Sequence, residues 1–360
     1  MQPLVSIVCT IYNAEHYIDE AIQSILNQTY THWELLLYND GSTDSTASVL
    51  ENYRKDSRIR IFNVADNIGV YASRKFLYQQ CLGKYIAVID ADDISVKSRI
   101  QKQVNYLEQH TDINAVGGHK ICFDETEGSW YFKKYPTNGH YLKAAMLFRN
   151  EIDQPTIMLR KDVVLASILQ VESSIISQTS SQMAEDYNLF WKLITKNFKI
   201  LNLNAILIYY RIHTQQISFY SKSESRKAFT LAMWQTKFNY FELIIPDEDL
   251  IFFAEFIMGK FSLSKNDFSI INSTLNTYSK AVNAKSGFGS KYVQAAFLPW
   301  RLKSITDAND IGRLAKIFKI IVLLLSTNII ATYHYIQQHL LPNLSYGLRN
   351  KRAYPLPIID

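Results

Sequence analysis

The chain has 360 residues, 48% of them hydrophobic and 20% charged, with a net charge of +5 and three cysteines. That apolar content buries enough surface to exclude low-complexity disorder, and the length suits two domains. Cys9, Cys81 and Cys122 are odd in number and lack CxxC spacing, so neither a disulfide framework nor a zinc site is expected, and the thiols suit a reduced, cytoplasmic setting. The segment after Met1 shows no basic n-region or long apolar h-region, so no signal peptide is expected.

The first 125 residues alternate apolar runs with helix-period segments. Strands are expected at 5–11, 33–38, 59–64, 85–89 and 115–123, and helices at 17–26, 46–53, 70–82 and 96–109. Such βαβα order predicts an α/β protein with a mostly parallel sheet flanked by helices. Ligands then sit beyond the carboxyl ends of the strands. Residues 124–185 are less regular and include a polar stretch at 173–182 that reads as a loop. A helix is expected at 188–195 and strands at 199–203 and 205–210, and a helical region begins near 220. The most apolar stretch, 317–330, is interrupted by Lys319 and falls short of a membrane span. It reads either as a core helix or as an interfacial helix with basic flanks. Residues 311–360 hold six of the basic side chains against Asp360 alone, so the net charge belongs to the C-terminal end. Those basic residues are interleaved with aliphatic side chains instead of stacking aromatics, which argues against nucleic-acid binding and favours an anionic membrane surface contacted through residues 311–352.

Asp90-Ala91-Asp92-Asp93 follows an apolar strand directly, placing three carboxylates at a strand end. In isolation this is also an ordinary acidic turn before a helix. Concentrated negative charge of this kind is relieved by a divalent cation such as Mg²⁺ or Mn²⁺, which takes oxygen ligands from carboxylates and phosphates. Asn39-Asp40-Gly41-Ser42-Thr43-Asp44 follows another strand: Gly41 permits a tight turn, Ser42, Thr43 or Asp44 can cap the next helix, and Asp40 is left to accept hydrogen bonds. Thr10 and Tyr12 end the first strand, and Arg74 follows the Asn67-Ile68-Gly69 loop as a cation suited to a phosphate or a base carbonyl.

Taken in order, SIVCTIYNAEHYIDEAIQSILNQTY (6–30), LLLYNDGSTDST (35–46), NIGVYASRK (67–75), YIAVIDADD (85–93), AEDYNLFWKL (184–193) and YYRIHTQQIS (209–218) resemble the family 2 glycosyltransferases, inverting enzymes of GT-A fold. The resemblance covers residues 4–220 and is nearest to bacterial lipooligosaccharide N-acetylglucosaminyltransferases. It implies a GT-A nucleotide-diphospho-sugar transferase domain at 1–220 and a helical C-terminal region at 221–360, in contact with membrane or acceptor. It further implies a UDP-sugar donor, a Mn²⁺ or Mg²⁺ cofactor and a glycan or glycolipid acceptor. Thr10, Tyr12 and Asp40 would hold the uracil, and Arg74 and Asp90 the uridine and ribose. Asp92 would bind the metal, assisted by Asp93, and His213 would reach the diphosphate or the metal. Asp186 would be the general base, with Glu185 and Gln154 on the acceptor side. Asn39 and Lys75 depart from the residues frequent in the family, and neither departure removes a required charge.

The expected activity is transfer of GlcNAc or Gal to a bacterial surface glycan, in the cytoplasm or on the cytoplasmic face of the inner membrane. A nucleotidyltransferase or a Rossmann dehydrogenase is disfavoured because TIYNAEHY, after the first strand, contains no glycine. A catalytically silent sugar-nucleotide or glycan-binding protein is the alternative of a different class. Retention of Asp186 beside Asp92 argues against it, since binding alone requires no base.

Overall fold

The structure, a computed structural model, describes residues 2–168, 185–216, 224–257 and 265–285, with isolated positions from 288 to 300 and residues 323, 352 and 353. The polar stretch 173–182 and nearly all of 311–352, including the 317–330 segment apart from Leu323, lie outside the described residues. The chain separates into two compact units. One comprises Met1–Thr137, Ile152–Phe219 and Asn350–Asp360; the other comprises Asn138–Glu151 and Tyr220–Arg349.

The first unit is built on one mixed sheet in the order β10-β7-β6-β8-β4-β1-β2-β3, with β5 and β9 attached beside it. β1 (Val5–Ile11), β2 (Trp33–Asp40), β3 (Ile59–Val64) and β4 (Tyr85–Val88) pair in parallel. β2 is buried at every position, as expected for a strand covered on both faces. Helices α1 (Ile18–Leu26), α2 (Thr46–Glu51) and α3 (Val70–Gln80) make the crossovers. α1 buries Ile18, Ala21, Ile22 and Ile25, the single face its sequence periodicity indicates.

Beyond β4 the sheet becomes mixed. β8 (Met158–Arg160) joins β4 antiparallel, and β6 (Ala115–Asp124) is antiparallel to both β8 and β7 (Ser129–Lys133) but parallel to β9 (Ile200–Ile212). The expectation of a mostly parallel sheet therefore describes the N-terminal half, and antiparallel pairs complete it. β10 (Arg352–Ala353) pairs with β7.

Two local expectations differ for tertiary reasons. The helix expected from Val96 begins only at α4 (Arg99–Gln109). Ile94–Ser95 instead form β5 against Tyr209 and Ile208 of β9, and Val96 N donates to Leu207 O at 2.9 Å. The two strands expected around Asn204 are one strand with a register irregularity opposite Gly117–Lys120. There Asn204 Oδ1 meets His119 Nε2 at 3.1 Å, so the polar residue is accommodated without a break.

The remaining helices of the first unit are α6 (Lys161–Ile168) and α7 (Glu185–Thr195). The second unit contains α5 (Gly139–Ala145), α8 (Glu224–Tyr240), α9 (Asp247–Ile257) and α10 (Lys265–Ala284). Its core is aromatic: Trp234, Phe238, Phe253, Tyr278 and Phe148 are buried against one another. Among the described residues no helix is long and apolar enough to cross a membrane.

Candidate active site

Because β1, β2 and β4 run parallel, Thr10 and Tyr12, Asp40, and the Asp90–Asp93 turn emerge at the same sheet edge. Thr10 is half-buried, and Tyr12 is 52% exposed, leaving its ring available for stacking. The loops after β1 and β2 are laced together. Asn13, at φ 49°, places its Oδ1 2.8 Å from Thr43 N, and Ser42 Oγ accepts from Asn13 N at 2.9 Å. Asp44 accepts from Thr46 N and Glu15 N at 3.0 and 3.1 Å. Burial alone would raise the Asp44 carboxyl, but these bonds outweigh it and hold the group below its ordinary value.

Asp40 is buried, and its two oxygens accept from Ile68 N and Gly69 N, each at 2.9 Å. It therefore anchors the Asn67–Gly69 loop, a duty the sequence did not indicate. Each oxygen retains a second lone-pair direction for a ligand N–H. Gly41 sits at φ +69° with Asn67 N only 2.7 Å from where a Cβ would stand, so the two loops approach as closely as a glycine permits. Arg74 is buried on α3, and its Nη2 reaches Asp90 Oδ1 at 3.4 Å.

The acidic turn is the electrostatic centre of the site. Asp93 is wholly buried, and its carboxyl is pushed well above the ordinary range by burial, then by Asp92 and Asp90. Asp90 keeps 35% of its side-chain surface and is pushed less, to about 6, by burial, with Arg74 opposing and Asp92 adding. Asp92 Oδ2 meets His213 Nε2 at 2.9 Å and Gln216 Nε2 at 3.2 Å, and the His213 ring lies 4.5 Å from that of Tyr17.

The donor set suits a hard divalent cation. Asp93 Oδ2 and His213 Nδ1 are buried without a hydrogen-bond partner, and three carboxylates crowd one turn. Among the described residues, no group of three or more His, Cys, Asp or Glu forms a ready cage. A cation held by Asp92 with His213 would thus complete its shell with phosphate oxygens and water.

Asp186 is the second residue of α7, and its Oδ1 accepts from Tyr187 N at 2.7 Å. Burial raises its carboxyl and Asp153 adds to this, while the Tyr187 hydrogen bond and Arg74 oppose. Arg74 and Asp153 also act on Asp90, so Asp90 and Asp186 feel the same two neighbouring charges. Gln154 is buried in the 3₁₀ turn Gln154–Thr156, next to Asp153. Glu185 opens α7, but its side chain lies outside the described residues.

Lys120, Asp153, Arg211 and Gln216 were not foreseen. Lys120, within β6, places Nζ 2.9 Å from Asp153 Oδ1 and 3.5 Å from the Tyr210 ring centroid. Its place as the one lysine or arginine of β6 was the one signal in the sequence. Arg211 and Gln216 lie in the same segment as His213, so their motif was noticed but their contacts were not.

The sheet, its crossovers and an acidic turn at a parallel strand end define a protein of GT-A fold. Residues 6–203 match glycosyl transferase family 2, and the chain belongs to that family as an enzyme. It is 39% identical over 225 residues, 60% of this chain and 68% of the relative, to an uncharacterized glycosyltransferase of Haemophilus influenzae. It is 30% identical over 217 residues, 59% of this chain and 81% of the relative, to the O-antigen biosynthesis glycosyltransferase WbnJ of Escherichia coli. Among solved structures it is similar to S. aureus TarS 1-349 in complex with UDP-GlcNAc, with a TM-score of 0.53 and 16% identity, covering 99% of this chain and 94% of that one.

Proposed function

We propose that the chain is an inverting, metal-dependent transferase that moves GlcNAc or Gal from a UDP-sugar to a hydroxyl of a lipooligosaccharide or related surface glycan. The observation that carries this reading is the acidic turn Asp90–Asp93 at the carboxyl edge of the parallel strands, with His213 brought to Asp92 at 2.9 Å; Asp186 feels the same Arg74 and Asp153 charges as Asp90. The relatives' assignments, O-antigen biosynthesis for WbnJ and teichuronic acid biosynthesis for TuaG of Bacillus subtilis, support a surface-glycan acceptor. The UDP-GlcNAc held by TarS supports a UDP-sugar donor.

In this mechanism Tyr12 stacks on the uracil, Thr10 and Asp40 hold its polar edge, and Arg74 with Asp90 contacts the uridine. Asp92 would hold the cation, assisted by Asp93 and with His213 on the metal or the diphosphate, and the cation would offset the charge growing on the departing diphosphate. Asp186 takes the proton of the acceptor hydroxyl as that oxygen attacks the anomeric carbon. Its partial desolvation suits the task, because a carboxylate held above its ordinary proton affinity is a stronger base. Glu185 and Gln154 belong to the acceptor side. Residues 1–220 carry the chemistry, and 221–360 meet the acceptor or an anionic membrane surface on the cytoplasmic face. UDP release measured with UDP-GlcNAc, UDP-Gal, UDP-Glc and UDP-GalNAc, first with Mn²⁺ and then with EDTA, tests the donor and the metal together. No release with any donor would reject the reading.

A further inference from the structure

Arg211 is among the most enclosed charges of the first unit, with 3% of its side chain exposed. Each of its nitrogens has a structural destination. Its backbone N donates to Asp93 Oδ1 at 3.2 Å and its Nε to Asp92 O at 3.0 Å. The two Nη groups donate to Glu125, just past β6, and to Glu20 on α1. The guanidinium lies over the rings of Tyr17 and Phe123, 5.1 and 4.8 Å from their centroids. Its carbonyl accepts from Gln216 Nε2 at 2.6 Å, and the same amide reaches Asp92 Oδ2.

We propose that Arg211 is a positioning residue that sets Asp92 and His213 in register for the divalent cation: its fork fixes the backbone of the acidic turn to α1 and to the end of β6, and its main chain continues directly into His213. The inference rests on the metal reading of the site and concerns how this chain prepares it. The arrangement has a physical logic. Asp92 and His213 come from elements 121 residues apart, so their 2.9 Å approach must be imposed by a common support. Arg211 touches the turn through two bonds, one from its main chain to Asp93 and one from its side chain to the carbonyl of Asp92, and Gln216 adds a bridge from the Arg211 carbonyl to Asp92 Oδ2. Glu20 and Glu125 hold the planar fork at both ends, a geometry that a lysine cannot reproduce. Tyr17 faces both the guanidinium and the imidazole, packing the two residues from one side.

The test is UDP binding by calorimetry on the full chain, in Mn²⁺ and in EDTA. The metal-free affinity reports the uridine contacts, and the gain on adding Mn²⁺ reports the Asp92–His213 register. Arg211→Met is expected to lose at least about tenfold of the Mn²⁺-dependent gain, the scale of supporting residues at metal sites, while metal-free affinity stays within about twofold. Arg211→Lys should recover part of the gain. The Glu20→Gln/Glu125→Gln variant, which keeps the arginine, should lose roughly threefold and serves if Arg211→Met does not fold. An unchanged gain in these variants overturns the inference. So does an equal loss in Mn²⁺ and in EDTA, which would mark Arg211 as merely structural. A wild-type chain with no Mn²⁺ gain would reject the metal reading itself, and the Arg211 inference with it.

Discussion

Replacing Lys120 by methionine tests the buried pair beneath the site. Lys120 and Asp153 keep only 6% and 17% of their side-chain surfaces, and Nζ lies 2.9 and 2.8 Å from the two carboxylate oxygens. Methionine fills most of the lysine volume, so the lost charge dominates the effect. Asp153 would then remain among Asp90 and Asp93 without its cation. Breaking a buried pair in this way costs about 3–5 kcal/mol, and the residual exposure of Asp153 places this case near 3. For a unit of this size that corresponds to roughly 6–12 °C in the melting temperature. Burial would lower the Lys120 ammonium, but Asp153 outweighs it and the folded value is raised. The stabilisation is therefore fully present below the ordinary lysine value and is lost only as pH rises through the folded one, so the deficit should be constant from about pH 8 to 9, clear of the Asp90 value on which Lys120 also acts. Thermal unfolding followed by circular dichroism measures it. The double variant Lys120→Met/Asp153→Leu removes both charges and should lie within about 1 kcal/mol of wild type. A single variant that melts with wild type, or a double variant as unstable as the single, would show that the Lys120–Asp153 pair does not stabilise the fold.

Further expectations concern the base, the nucleotide loops and the C-terminal end. Burial and Asp153 raise the Asp186 carboxyl, so kcat/KM should fall as pH drops through a value above the ordinary aspartate range near about 4, and Asp153→Asn should move that limb to lower pH. An unmoved limb in a pH–rate profile would separate Asp153 from the base. Gly41→Ala, forced against the Asp66–Asn67 backbone at positive φ, should cost about 1–3 kcal/mol and weaken UDP binding in EDTA as well as in Mn²⁺; calorimetry showing unchanged affinity would reject the close approach as important. Truncation after residue 310 should leave UDP release largely intact but lower binding to anionic vesicles, and equal vesicle binding by the shortened chain would exclude the basic end as the membrane contact.

Much of the parallel half of the sheet was legible because its signals are local. β1 and β3 occupy the expected residues, and the carboxylates of Asp40 and Asp90 lie at or just past strand ends, where the βα pattern places them. What escaped was set by partners distant in sequence. Ile94 and Ser95 have ordinary helix-start surroundings, yet β9 draws them into a strand. β7 and α5 fall in a stretch whose turn residues mask short elements. Asp40 was readable as a ligand-facing carboxylate, but not as the anchor of Ile68 and Gly69, because that depends on the approach of two loops. Lys120 and Arg211 each carry charges that become meaningful only beside Asp153, Glu20 and Glu125, between 33 and 191 residues away.

The central claim is that Asp186 takes the acceptor's proton while the Asp92 side of the site manages the diphosphate. UDP release by Asp186→Asn, with the donor that wild type uses best and with UDP affinity measured on the same protein, tests it most directly. A general base at Asp186 requires a loss in kcat of roughly 10²–10⁴-fold with UDP affinity unchanged within about twofold. Undiminished turnover would contradict it and remove Asp186 from the mechanism.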